Sequence, residues 1–402
     1  MRLKIYLRII GCALLVVLTL ELSARIEDYF REDAPLLGKY SINTLFRPAP
    51  TGREGVPASR FGKWKMNSLG YRGPEVVGGQ VNVLAFGASE TFGLYESKNH
   101  EFPRMLEKIL NETSTRRFNV INIALPGIRI GRVSYLEQAL ESTNAKYVVV
   151  YPSPANYIGT ETPFCGQASM PVESPRGPGE WIRLFGKLDQ QAKKLIPPEL
   201  QALLRSLVLW SSTRGLQTMK RVPEETIDSL GKDLVCIADA VQRRGATPVF
   251  VTHATIFGDR IDERDQAMLQ AWRRFYPALH EDGFLDLEKR ANERIRSVAN
   301  QRGLPLVDAA NAIPRGPTHF ADFVHFTDKG AATMGQIIAP AIVCDANRVE
   351  ATRPLLKPYA APDGSGGATR NAEDPCPRGR IEESAEGPNP ELLSQMTRIL
   401  RR

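Results

Sequence analysis

The side chains with chemistry to offer are a serine where an apolar run breaks, and an aspartate and a histidine three apart much later in the chain. In Val81-Asn82-Val83-Leu84-Ala85-Phe86-Gly87-Ala88-Ser89-Glu90-Thr91 the first half alternates and then runs apolar, as a buried strand does, before Gly87 breaks it into a polar turn. Ser89 therefore falls at a strand end, which in an open α/β sheet is the edge where ligands bind. Backbone N–H groups opening a following helix can face a developing negative charge there. A serine so placed can act as a nucleophile; alone, it reads more simply as a helix N-cap. Asp322-Phe323-Val324-His325 lets Asp322 hold one ring nitrogen of His325 while the other faces a nucleophile. Alone, that pair too is an ordinary surface-loop motif. Together, in the chain order Ser, Asp, His, the three make a base-activated hydroxyl.

Positioning them requires a scaffold, and the hydrophobic pattern supplies one. Four more short apolar runs follow the first: Asn119 to Ala124, Lys146 to Tyr151, Thr247 to Thr252 and Leu304 to Val307. Helical spacing over Glu101 to Leu110, Arg132 to Leu140, Ile227 to Gln242 and Leu285 to Asn300 alternates with them, and Ala331 to Val343 follows His325. Alternating strand and helix predicts right-handed βαβ units, hence a three-layer α/β/α sandwich around a mostly parallel five-stranded sheet. Residues 157–221 interrupt the spacing with a long insertion, Pro- and Gly-rich and then helical. It is expected either to rise over the Ser89 edge as a lid or substrate wall, or to cover one face of the sheet.

Outside that core the chain divides again. Arg2, Lys4 and Arg8 precede an apolar run from Ile9 to Leu20, so residues 1–26 read as a signal anchor or a cleaved signal peptide ending near Ser23-Ala24. The remainder is then exported: bound to the cell membrane by a single pass, or secreted if the segment is removed. Residues 27–80 are a polar lead-in in which Asn67 to Glu75 packs Gly70, Gly73 and Pro74 around Tyr71, as a tight turn or small hairpin does. Residues 350–402 are too polar and too rich in Pro and Gly to order themselves, with helical spacing only from Glu391.

Composition narrows the function. With 402 residues, 42% hydrophobic and 24% charged, the chain can bury a large core. Its net charge of +7 is spread without a basic block, which speaks against a nucleic-acid partner. Cys165, Cys236, Cys344 and Cys376 are too scattered for a metal site; one disulfide is possible, with no pairing readable. His253 directly follows the fourth strand and competes with His325 as a candidate base. His100, His280 and His319 suggest no metal cluster, and no cofactor is expected.

The ordered blocks make the chain resemble the SGNH, or GDSL-type, hydrolase family, and the lead-in Asn67 to Glu75 with the N-terminal anchor further resembles an exported bacterial branch of it. Gly87-Ala88-Ser89-Glu90-Thr91 is similar to the first block of that family, Asn122 to Gly127 to its second, Ala155-Asn156 to its third and Asp322 to His325 to its last. The match spans Asn82 to about Val343, within a domain expected over residues 81–349. Ala88 stands where the family usually has Asp, and Pro154 and Tyr157 flank Asn156 where Gly and Asp are common. The resemblance implies a flavodoxin-like fold and a serine esterase. Ser89 would be the nucleophile, His325 the base and Asp322 its orienter, with Ser89, Gly127 and Asn156 forming the oxyanion hole. The substrate would be an acylated carbohydrate or lipid, the acyl group acetyl above all. An O-acyltransferase using the same serine, or a degenerate binding or scaffolding protein, are the alternatives; the oligomeric state is not legible.

Overall fold

Helix α1 (Arg2–Glu32) opens the chain. In the computed structural model, which describes residues 2–49, 52–159, 162–165, 182–184, 186–188, 218–258 and 261–351, its large side chains from Ile5 to Leu22 stand mostly exposed. A core helix would bury them. It is long and apolar enough to cross a membrane over Lys4–Glu32; about 44 Å of helix, at about 1.5 Å per residue, exceeds a hydrocarbon layer of about 30 Å. The polar end docks instead. Glu21 accepts bonds from the backbone N–H groups of Arg183 (3.2 Å) and Leu184 (2.9 Å), and Lys187 Nζ reaches Glu27 (2.7 Å) and Asp28 (2.9 Å). Ala24 is buried beneath this clasp.

The lead-in is two antiparallel hairpins, β1 (Phe46–Ala49) with β2 (Gly52–Gly55) and β3 (Arg60–Phe61) with β4 (Trp64–Lys65). The turn expected after them forms because the Asn67 carboxamide accepts the N–H groups of Leu69 and Tyr71, both at 2.9 Å. Gly70 has a positive φ of 80° and lies so close to Gly55 that a Cβ there would sit 2.4 Å from its carbonyl oxygen. The turn is tied down at Arg72, whose N–H donates to Asn122 O at 3.0 Å on the sheet edge.

From there strand and helix alternate: β5 (Val81–Gly87), α2 (Ser89–Phe92), α3 (Phe102–Thr113), β6 (Phe118–Asn122), α4 (Val133–Thr143) and β7 (Tyr147–Tyr151). Then come α5 (Glu224–Arg243), β8 (Thr247–Val251), α6 (Glu263–Arg273), α7 (Glu281–Arg302), β9 (Leu306–Val307), α8 (Ala309–Ala312) and α9 (Asp328–Ala351). The five strands from β5 onward form one sheet in the order β6-β5-β7-β8-β9, every pairing parallel. Two helical groups flank it, α3 with α9 and α4 with α5 and α7. This is the α/β sandwich that the alternation predicted. Covered on both faces, β6 and β7 are buried throughout, β7 as an apolar run and β6 with its two asparagines satisfied, Asn122 Nδ2 on Thr91 O at 2.8 Å and Asn119 Nδ2 on Asn82 Oδ1 at 3.3 Å. Val83, Leu84 and Phe86 of β5 have no exposure, and each such side chain contributes about 1.5–3 kcal/mol.

Boundaries moved where local chemistry overrode the apolar pattern. The fifth strand shrinks to Leu306–Val307 because Leu304 N closes the end of α7 on Ala299 O and Pro305 has no N–H to give a ladder. Helix α5 starts at Glu224, ahead of its first apolar residue, because two glutamates suit a helix's first turn. Most of the insertion 157–221, with its expected lid, and the tail from 352 lie outside the described residues. Cys165 and Cys236 form a disulfide across 71 residues, fixing the start of the insertion to α5; Cys344 is also disulfide-bonded, and Cys12 is free.

Candidate active site

The strand order places β5 between β6 and β7, so the connections leaving its end and that of β7 part in opposite directions and open a crevice. Gly87 stands in register with Tyr151. Both chains run past that rung into short turns, α2 with Ser89 at its first position and the 3-10 turn Pro154–Tyr157 carrying Asn156. Gly87 has to be glycine: a Cβ would lie 2.1 Å from Thr91 Oγ1 and 2.6 Å from Tyr151 O. Ala88 occupies the N-cap position, so Ser89 is not the capping residue that its context alone suggested. Its hydroxyl donates to Glu90 Oε2 at 3.2 Å.

Asp322 and His325 meet. His325 Nδ1 is 2.8 Å from Asp322 Oδ2, and Asp322 Oδ1 also accepts the His325 and Val324 N–H groups at 2.8 and 3.0 Å. The short spacing thus folds into a turn that aims the carboxylate at one ring nitrogen. The other, Nε2, is buried and has no hydrogen-bond partner among the described residues. Burial pulls the His325 imidazole down, but the Asp322 hydrogen bond, with the charges of Glu90, Asp322 and Glu96, outweighs it and leaves it raised. Burial pushes the Asp322 carboxyl up, and the hydrogen bond and charge of His325 bring it below its usual range. The Tyr95 ring lies 5.0 Å from the imidazole and is itself exposed. Ser89 Oγ and His325 Nε2 share no hydrogen bond; the serine hydroxyl is engaged by its neighbour Glu90 instead.

The remaining two candidates come together with each other. Gly127 has a positive φ of 75° and nothing near its missing Cβ, so backbone conformation selects glycine there, not crowding. Its turn is tied to the end of β5 through Leu125 N, which donates to Gly87 O at 3.2 Å. Asn156 Nδ2 donates to Ile128 O at 2.8 Å, using one of its two N–H groups, and Oδ1 accepts from Tyr276 at 3.5 Å.

Sequence reasoning missed what lies beneath Ser89. His253, weighed as a second base, is wholly buried, with Nδ1 2.7 Å from Glu288 Oε2 and Nε2 3.3 Å from Glu90 Oε1. Both ring nitrogens are taken, and Glu90 stands between it and the serine. Burial pushes the Glu90 carboxyl up, yet the hydrogen bond and charge of His253, with the charge of His325, hold it down at about 2. Burial lowers the His253 imidazole; the charge and hydrogen bond of Glu288, then those of Glu90, carry it up to about 10. Glu96 is buried as well, and burial pushes its carboxyl up to about 7. The loop that carries Tyr95 and Glu96 is held from the lead-in: Trp64 Nε1 and Arg72 Nη1 each donate to Gly93 O at 3.0 Å, and Lys63 Nζ donates to Leu94 O at 2.7 Å. Among the described residues no three His, Cys, Asp or Glu side chains are grouped to hold a metal ion.

No family model and no curated protein matches the chain. Among solved structures it is similar to a carbohydrate acetylesterase from Sinorhizobium meliloti, at 13% identity over 66% of this chain and 99% of that one, with a TM-score of 0.38. It is similar also to an acetyl xylan esterase, at 16% identity over 65% of this chain and 100% of that one, TM-score 0.38. A GDSL-like lipase from Bacteroides thetaiotaomicron is similar at 12% identity over 65% of this chain and 87% of that one, TM-score 0.37.

Proposed function

We propose that this chain is an exported serine esterase of the SGNH type, which hydrolyses an acyl ester, acetyl above all, on a carbohydrate or lipid. One observation carries the reading: His325 is held by Asp322 through Nδ1 at 2.8 Å while its Nε2 is buried without a partner among the described residues, beside the loop that runs on from Ser89. An imidazole oriented through one nitrogen and free at the other can take a proton from a hydroxyl. Catalytic hydrogen bonds are often loose before substrate binds. In this reading Ser89 Oγ turns from Glu90 to His325 Nε2, gives up its proton and attacks the ester carbonyl. Asp322 fixes the tautomer and stabilises the imidazolium. The Ser89 and Gly127 N–H groups and the free N–H of Asn156 donate to the oxyanion. Collapse returns the proton to the departing alcohol and leaves the acyl group on Ser89; water then repeats the sequence, releasing the acid.

Export is supported by two features. Arg2, Lys4 and Arg8 precede the apolar part of α1, an arrangement that keeps the N-terminus inside. The Cys165–Cys236 disulfide fits an oxidising compartment. Retention of α1 as an anchor is supported by the clasp of its polar end, where Glu21 accepts from Arg183 N and Leu184 N and Glu27 from Lys187 Nζ.

The test is labelling of the purified full-length chain by a fluorophosphonate probe, with turnover of an activated acetyl ester. Wild type is expected to label and turn over, and Ser89→Ala to do neither while keeping its fold. Undiminished labelling of Ser89→Ala overturns the reading. Product analysis with an added acceptor alcohol separates hydrolysis from acyl transfer.

A further inference from the structure

Beneath the serine lies a chain of buried polar contacts that the esterase chemistry above does not use. Glu90 Oε2 accepts from Ser89 Oγ at 3.2 Å, and Glu90 Oε1 accepts from Ser153 Oγ at 2.8 Å and faces His253 Nε2 at 3.3 Å. His253 Nδ1 faces Glu288 Oε2 at 2.7 Å. Asn292 brackets the histidine backbone, accepting from His253 N at 2.6 Å and donating to His253 O at 2.8 Å. The Tyr151 ring stacks on the imidazole at 5.3 Å. Glu90, His253 and Glu288 are 2%, 1% and 7% exposed. An imidazole between two carboxylates donates from both nitrogens and is therefore a cation. Burying such an array costs desolvation that its attraction repays only in part, so stability alone is a weak reason for it.

We propose that Glu90 holds the Ser89 hydroxyl in its resting rotamer, and that His253 and Glu288 are positioning residues that act through Glu90 by fixing its carboxylate and its charge. The inference rests on Ser89 being the nucleophile. The array runs outward from α7 through the loop after β8 to α2, and it meets the serine at Glu90. Glu90 accepts the hydroxyl's hydrogen bond without taking its proton, since a carboxylate paired with His253 is a very weak base. On attack the proton goes to His325 Nε2, the Ser89 Oγ to acyl-carbon bond forms, and Glu90 is left as it was. Its negative charge stabilises the imidazolium that results.

Several groups share that field. His325 is faced by Asp322 from its own loop, by Glu90 from α2 and by Glu96 from the following loop. Glu90 is faced by His253 and His325, and its charge is felt by Tyr151 at the end of β7 and by Tyr276 ahead of α7. Removing the Glu90 charge should therefore make His325 easier to deprotonate.

The experiment measures kcat/KM for an activated acetyl ester against pH in the full-length chain, for wild type, Glu90→Gln, Glu90→Asp and His253→Gln, with Ser89→Ala as control and circular dichroism on each. Glu90→Gln is expected to lose about 10-fold to 10²-fold in kcat/KM, the scale of a misplaced reacting group. Its acidic limb should move to lower pH by about 0.5 to 1 unit. Glu90→Asp keeps the charge but withdraws the acceptor by one methylene, so it should lose rate with the limb in place. His253→Gln should bring a second ionisation into the profile, as Glu90 loses its counter-ion. Folded Glu90→Gln with wild-type rate and an unmoved limb overturns the proposal; should that variant not fold, a wild-type rate in Glu90→Asp does so. Full activity in Ser89→Ala would instead remove Ser89 as the nucleophile, and with it the reading on which this proposal rests.

Discussion

Arg72 Nη2 donates to Glu101 Oε2 at 2.8 Å with the two side chains 3% and 2% exposed, so an ion pair joins the lead-in turn to the start of α3 almost out of reach of water. Removing one partner leaves the other charge buried and alone, which costs about 3–5 kcal/mol. Arg72→Ala is expected to lose that much in urea unfolding. Arg72→Met with Glu101→Leu should lose clearly less. A double variant as unstable as the single one would show that packing, not charge, is what Arg72 supplies.

The raised His325 imidazole sets a direction for activity. A base must be neutral, so kcat/KM should fall as pH drops through the folded-state value, which lies above the ordinary histidine value of about 6.5. Asp322→Ala removes the hydrogen bond that raises it and should bring the acidic limb down while turnover also drops. His325→Ala should lose nearly as much turnover as Ser89→Ala, and the double variant little more, because the two act as one unit. Rate profiles over pH 5–9 decide it.

Asn156→Ala should lower kcat by about 10²-fold to 10³-fold with little change in KM, the mark of a group that binds the oxyanion more than the ester. Tyr276→Phe removes the 3.5 Å contact to Asn156 Oδ1 and should cost far less. A KM effect without a kcat effect would make Asn156 a substrate-binding group only.

Glu96 makes stability depend on pH. Burial pushes its carboxyl up to about 7. The folded state therefore holds a proton that the unfolded chain releases from about 4.5, and the stability this provides is present below that pH and lost as pH rises towards 7. The swing is about 3 kcal/mol. Glu96→Gln should flatten it, giving a chain that is more stable than wild type at pH 8 and nearly equal to it at pH 4. Unfolding midpoints at the two pH values are the measurement.

The Cys165–Cys236 bridge closes a loop across 71 residues, for which the chain-entropy model gives about 4 kcal/mol. The double variant Cys165→Ser, Cys236→Ser should melt correspondingly lower. Asp233 holds the same junction without the sulfurs, accepting from Cys165 N and Tyr157 Oη, each at 2.8 Å. Esterase turnover at 25 °C should therefore survive the loss of the bridge.

What could be read from the chain was local. Asp322 and His325 are three apart and fold into one turn, and the strands carry their burial in short, mainly apolar runs. The long-range contacts left no such trace. Glu90 meets His253 across 163 residues and His253 meets Glu288 across 35, so only the position of His253 straight after a strand hinted at that array. The cysteine pairing was equally hidden, because it depends on where α5 passes the start of the insertion. Strand ends slipped wherever a proline or a neighbouring helix claimed the backbone groups, as at Leu304 and Pro305.

The ties from Lys63, Trp64 and Arg72 to the loop after α2 bear on how the protein can be cut for study. Composition marks everything before Val81 as an approach to the domain, and a soluble fragment would naturally be started there. Such a fragment would strip Gly93 O of both its side-chain donors and leave Glu101 without its cation, just where Tyr95 leans on His325. The smallest piece worth expressing has to begin upstream of Tyr40, whose hydroxyl in turn accepts from Gly62 N at 2.9 Å and steadies the hairpin that bears Lys63 and Trp64.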